Sequence, residues 1–210
     1  MQLRTDFDAI ANWVQPNSSL LDLGCGDGSF LEFIRAKRDV KPYGVEITDS
    51  AVLACVQKGL NVIQQDLEGG LALFEDQSFD TVVLSQTLQT IHQTERILRE
   101  VVRVGKQCVV SFPNFGHWSH RYAVALGRMP VSKSLPYEWF NTLNVRVLTI
   151  ADFEALAHKL GILILGRVVL HEGIKVNLLP NLFGSLAIYR VRGDRKSTRL
   201  NSSHTDISRM

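Results

Sequence analysis

Gly24, Gly26 and Gly28, in the stretch LLDLGCGDGSF (20–30), stand where a strand-forming run gives way to a helix-forming one. Glycine lets a backbone turn sharply and approach a ligand where a Cβ would collide. The helix that follows must begin with N–H groups lacking intrahelical partners. Two acids extend the pattern. Glu46 closes the next apolar run, eighteen residues beyond Gly28, and Asp66 closes the one after it. A carboxylate at such a strand end can accept hydrogen bonds from both hydroxyls of a ribose, and a buried acid needs such partners. A nicotinamide fingerprint, G-x-G-x-x-G, would place its last glycine at position 29, which is Ser29 here, so the spacing argues against a nicotinamide enzyme.

Other reactive residue types are less suggestive. Cys25 sits inside the glycine loop, but no histidine lies near it in sequence to activate a thiol. His117 and His120, in VVSFPNFGHWSHR (109–121), are three apart, and a metal would need a third ligand; His92 is available, but nothing in the sequence links it to them. No metal site is expected. Ser85 and Gln86, at the end of a later apolar run, are polar enough to touch a cofactor or substrate. That position lacks the paired prolines of the Asn-Pro-Pro-aromatic motif used by amino-methylating enzymes. No catalytic residue can be assigned.

The elements that must position these residues alternate. Strands are predicted over 18–24, 41–47, 61–66, 78–86 and 107–113. Helices are predicted over 28–37, over 49–59 with Asp49 or Ser50 as N-cap and Gly59 as stop, and over 94–105. Alternation at this length implies βαβ crossovers, hence a parallel sheet covered on both faces. After Pro113 the rhythm breaks for about 38 residues, leaving an insertion over 113–150. A helix over 152–161 and two strands over 162–170 and 184–192 follow, the strands expected to form an antiparallel hairpin at the sheet edge. The predicted fold is therefore α/β, with a doubly wound, mostly parallel seven-stranded sheet.

Composition sets the remaining bounds. The chain of 210 residues is 45% hydrophobic and 21% charged, as an ordinary globular domain is. Its net charge of +2 is misleading, because residues 195–210 hold Arg195, Lys196, Arg199 and Arg209 against Asp206 alone. That polar stretch reads as a non-native or disordered tail, leaving one domain over 1–194 with a net charge of −1. Nothing in that balance suggests a nucleic-acid partner. Cys25, Cys55 and Cys108 form no CxxC, and no apolar run approaches the ~18 residues of a membrane span, so a cytoplasmic setting is expected.

The G-x-G-x-G loop with Asp22 ahead of it resembles motif I of class I S-adenosylmethionine-dependent methyltransferases. Further segments narrow the likeness: RTDFDAIANWV (4–14), VIQQDLEGGL, FDTVVLSQTLQ, VVSFPNFGHW and GRMPVSKSLPYEWF (127–140) together resemble the MetW family of methionine biosynthesis proteins over residues 4 to 170. The resemblance departs at Leu143 and Arg146, where the family pattern has proline and histidine; no role of that histidine carries over. It implies a class I methyltransferase fold binding S-adenosylmethionine or S-adenosylhomocysteine. It also implies partnership with the homoserine O-acyltransferase MetX rather than a settled methyl acceptor. Asp22, Gly24, Cys25, Gly26, Gly28, Glu46, Ile47, Asp66, Leu67 and Ser85 are the implied cofactor residues, with Asp66 accepting from the adenine amino group and Leu67 packing on the ring. Two roles follow: a regulator whose insertion meets the acyltransferase, or a methyltransferase for a small metabolite whose insertion is a lid.

Overall fold

The computed structural model describes residues 6–194, so the tail at 195–210 lies outside the described residues. Its sheet is built from β1 (Ser19–Leu23), β2 (Lys41–Glu46), β3 (Asn61–Gln64), β4 (Phe79–Ser85), β5 (Gly105–Pro113), β6 (Ile162–His171), β7 (Ile174–Lys175) and β8 (Leu186–Gly193). The spatial order is β3-β2-β1-β4-β5-β8-β6-β7. β1 to β5 pair in parallel, whereas β8 runs antiparallel to both β5 and β6. The doubly wound, mostly parallel architecture and the antiparallel C-terminal hairpin are as the sequence predicts.

The sheet has eight strands rather than seven. The additional strand, β7, pairs only Leu170 with Lys175 and His171 with Ile174, across a turn in which Glu172 and Gly173 have φ of 48° and 85°. A two-residue strand is too short to show a period.

Among the described residues seven α-helices accompany the sheet: α1 (Asp6–Ala11), α2 (Ser29–Arg38), α3 (Asp49–Gln57), α4 (Thr94–Val104), α5 (Trp118–Ala125), α6 (Ile150–Lys159) and α7 (Pro180–Phe183). Three of them were not expected: α1, α5 inside the insertion, and the single turn α7 in the connection from β7 to β8. Each is short, of six, eight or four residues, so its period does not stand out in the sequence. The N-cap of α3 is Thr48, not Asp49 or Ser50. Glu46 takes the amides of Ile47 and Thr48, which fixes the chain's entry, while Asp49 is bound by the Gln64 side chain.

Alternation along the central strands produces two cores. Leu21, Val82, Leu84, Val110 and Phe112 face α4 and α6, and Leu20, Val83, Val109 and Ile188 face α1 and α2. On the first face Phe112, Phe153 and Tyr189 interlock, with ring centroids 4.6–5.9 Å apart. These packed faces hold the carboxyl ends of β1 to β4 at one rim.

Candidate functional site

A cavity of ≈ 500 Å³ opens at that rim, lined by residues that include Gly24, Glu46, Ile47, Asp66, Leu67 and Gln86. It lies where the strand order reverses beside β1, the position at which open α/β sheets bind ligands. Its size falls within the usual range for a small-molecule site.

The three glycines serve different purposes. All have positive φ, at 76°, 55° and 78°. Gly24 lies against Thr87, and a Cβ there would come within 2.6 Å of that side chain. Gly28 forms the left-handed N-cap of α2 and lies under α3; a Cβ would sit 2.4 Å from Leu60 Cδ1 and 2.9 Å from Cys55 Sγ. Gly26 meets nothing within 4 Å. Of the three, however, it is Gly24 that lines the cavity; Gly26 and Gly28 do not.

Glu46 ties the loop to β2. Its Oε2 accepts from the Gly26 amide at 2.9 Å, and its Oε1 accepts from the amides of Ile47 and Thr48 at 2.9 and 3.0 Å. Ile47 is 56% exposed although apolar, and presents a hydrophobic edge to the cavity. Asp66 Oδ1 caps a one-turn 3₁₀ helix at Leu67–Gly69 by accepting from the Glu68 amide at 2.9 Å.

The other implied residues do not line the cavity. Cys25 is buried with its Sγ 3.9 Å from Cys55 Sγ, and burial, followed by the charge of Asp22, pushes its thiol well above the ordinary range. An unionised, enclosed thiol is no nucleophile. Asp22 is buried ahead of the loop. Ser85 is buried too, its Oγ 3.2 Å from Asp6 Oδ2 and 3.1 Å from Ser111 Oγ.

Asp6 and the His92–Glu68 pair escaped sequence reasoning, as did the conformation of Gln86, whose place at the cavity was expected. Asp6, on α1, also accepts from Gln86 Nε2 at 3.2 Å and so fixes the end of β4. Gln86 has φ of 52°, an uncommon conformation for a side-chain-bearing residue, and one that sequence does not reveal. His92 and Glu68 form a dyad at the cavity rim, Nδ1 to Oε1 being 3.2 Å. Burial works to raise the Glu68 carboxyl, but the His92 and Gln93 amides outweigh it and hold the group ionised.

His117 and His120 are buried away from this cavity and belong to a different cluster. The His117 ring stacks on His171 at 4.8 Å, and His120 Nε2 lies 3.0 Å from Ser132 Oγ. Among the described residues no group of His, Cys, Asp or Glu side chains is arranged to hold a metal ion. Nor is any described helix long and apolar enough to cross a membrane.

Comparison with known proteins agrees with this geometry. The family described as "Methionine biosynthesis protein MetW" matches residues 4–191. A curated relative, the bifunctional methionine biosynthesis protein MetXA/MetW of Rhodopirellula baltica, is 37% identical over 172 residues, 77% of this chain. The match spans only 28% of that longer relative. Among solved structures, an S-adenosylmethionine-dependent methyltransferase of Thermotoga maritima, a possible histamine N-methyltransferase, superimposes with a TM-score of 0.65 at 19% identity, covering 90% of this chain and 88% of that one. An S-adenosylmethionine-dependent methyltransferase of Mesorhizobium loti gives 0.67 at 16% identity, covering 90% and 98%. At such identities the likeness shows the fold alone. The chain therefore belongs to the MetW family of methionine biosynthesis proteins, built on the class I methyltransferase fold.

Proposed function

We propose that this chain is a partner and regulator of homoserine O-acyltransferase, with S-adenosylmethionine or S-adenosylhomocysteine held in the rim cavity as a signal of methionine supply. The observation that carries the partnership is the Rhodopirellula relative, whose name joins MetXA and MetW in one polypeptide. Fusion raises the effective concentration of one part for the other, and is useful where the two act together.

The residues present fit the nucleoside. Glu46 has oxygens at the end of β2 to accept ribose hydroxyls, and Asp66 Oδ2 is left to accept from an adenine amino group. Ile47 and Leu67 supply apolar surface for the ring. The loop from Gly24 to Gly28 would meet the amino-acid end of the ligand through Gly24, the glycine that lines the cavity. Effector and acyltransferase would then influence each other reciprocally.

The test is an acyltransferase assay with and without this chain, each with and without S-adenosylmethionine. Activity that depends on the chain, and responds to the nucleoside, is the expected result. An acyltransferase that neither binds the chain nor changes its rate in its presence would sink the proposal.

One observation favours a second reading, methyl transfer to a small metabolite: the His92–Glu68 dyad could take a proton from an acceptor at the cavity rim. Label passing from methyl-labelled S-adenosylmethionine into a small-molecule acceptor, and lost in His92→Ala, would establish it.

A further inference from the structure

Helix α5 is lightly covered. Of its eight residues, from Trp118 to Ala125, only His120 is buried. A helix of two turns has little stability of its own and depends on what covers it. Its exposed side carries Trp118 and Tyr122, and Leu126 follows at the C-cap, at 52%, 61% and 61% exposure. These residues are four apart and so form one stripe along the helix.

The composition of this face is that of a binding surface. Tryptophan, tyrosine and arginine are the residues most enriched among those that dominate interface energies. Arg121 and Arg128 flank the stripe. Arg121 is held by its Nε donating to the Gly116 carbonyl, and among the described residues neither arginine takes part in an ion pair. Residues 115–148 hold Arg121, Arg128, Lys133 and Arg146 against Glu138, a net charge of +3, which leaves −4 on the rest of residues 1–194.

That charge discriminates between occupants. Lys133 pairs with Glu172 and Arg146 lies beside His92, so the α5 face itself carries Arg121 and Arg128, and a two-fold contact with a second copy would bring those two against their own copies. Like charges brought together at an interface oppose association, whereas an acidic rim on a different protein would steer it.

We infer that the solvent face of α5, with Trp118, Tyr122 and Leu126 at its centre and Arg121 and Arg128 at its rim, docks an apolar, carboxylate-rimmed surface of the acyltransferase. This rests on the partner reading above, and names the surface by which the partnership is made. The aromatic pair supplies most of the affinity, and the arginines the rate of encounter.

The experiment measures binding of the full chain to purified homoserine O-acyltransferase by surface plasmon resonance. It compares wild type, the double variant Trp118→Ala/Tyr122→Ser, and the double variant Arg121→Glu/Arg128→Glu. Since the aromatic side chains are exposed, thermal unfolding of the aromatic variant should match wild type, whereas Arg121→Glu also gives up the bond to the Gly116 carbonyl, so the charge-reversed variant should unfold slightly earlier. The aromatic variant is expected to dissociate at least tenfold faster, and the charge-reversed variant to associate more slowly with a weaker salt dependence. If wild type binds and both variants keep its affinity, the docking surface is wrong while the partnership stands. A wild-type chain that does not bind overturns both. Sedimentation of the chain alone covers the remaining occupant: self-association abolished by Trp118→Ala/Tyr122→Ser would mark the face as a homodimer contact and overturn the inference.

Discussion

The carboxylate of Glu46 accepts a hydrogen bond from the amide of Gly26 at 2.9 Å, joining the end of β2 to the glycine loop that follows β1. One acid thus supports the loop and faces the cavity. Replacing it should loosen the loop and remove the ribose acceptor together.

Glu46→Ala is expected to lower affinity for S-adenosylhomocysteine by roughly one to two decades, the loss of charge-assisted hydrogen bonds worth ~1.5–3 kcal/mol. Isothermal titration calorimetry reads this directly. Unchanged affinity would remove the nucleoside from this cavity.

The glycines should separate by substitution. Gly28→Ala places a methyl group 2.4 Å from Leu60 Cδ1, whereas Gly26→Ala meets nothing within 4 Å. Both bear the left-handed backbone cost, so Gly28→Ala should destabilise by roughly 1–3 kcal/mol more, the cost of overpacking. Urea unfolding midpoints measure the difference, and equal midpoints would mean that α2 and α3 are not closely packed there.

Acid should weaken the packing of α5. His117 Nδ1 accepts from the Ser119 amide as the helix cap, so protonating the ring removes the lone pair that makes the cap. Burial, followed by the charges of His171 and His120, depresses the ring below its ordinary value of 6.5. A folded value lower than the unfolded one means that stability is present above the unfolded value and lost as pH falls through the folded one. His117→Asn keeps a capping oxygen that does not titrate, so its stability should fall less than wild type's between about pH 7.5 and pH 5. Parallel pH dependences in urea would contradict this.

The thiols should be silent. Cys25, Cys55 and Cys108 are buried and unpaired, and burial raises all three. Ellman's reagent should find no reactive thiol in the native chain near pH 8, and three after unfolding. Prompt reaction of Cys25 in the folded protein would reopen its candidacy as a nucleophile.

The sequence made legible whatever obeys a period or a local rule. Leu20 and Leu21 alternate between the two cores, Gly59 follows the end of α3, and Glu46, closing β2, and Asp66, two residues past the end of β3, stand at one rim. It did not show what depends on distant partners. Asp6 reaches Ser85 across 79 positions, and the His92–Glu68 dyad spans 24. Gln86 adopts its left-handed conformation under constraint from Asp6 and Ser111 rather than from its own preference. Cys25 shows the converse: its place in the glycine loop suggested contact with the ligand, but its side chain turns into the core.

β8 is the last of the described strands in sequence, yet it lies inside the sheet between β5 and β6. The growing polypeptide therefore leaves the ribosome with β5 as an open edge, and β6 cannot join the larger sheet until residue 193 is free of the exit tunnel. Completion of the sheet waits for β8, however early β1 to β4 assemble. A nascent chain stalled before Leu186 would expose the unpaired edge of β5, and so be a natural client for chaperones.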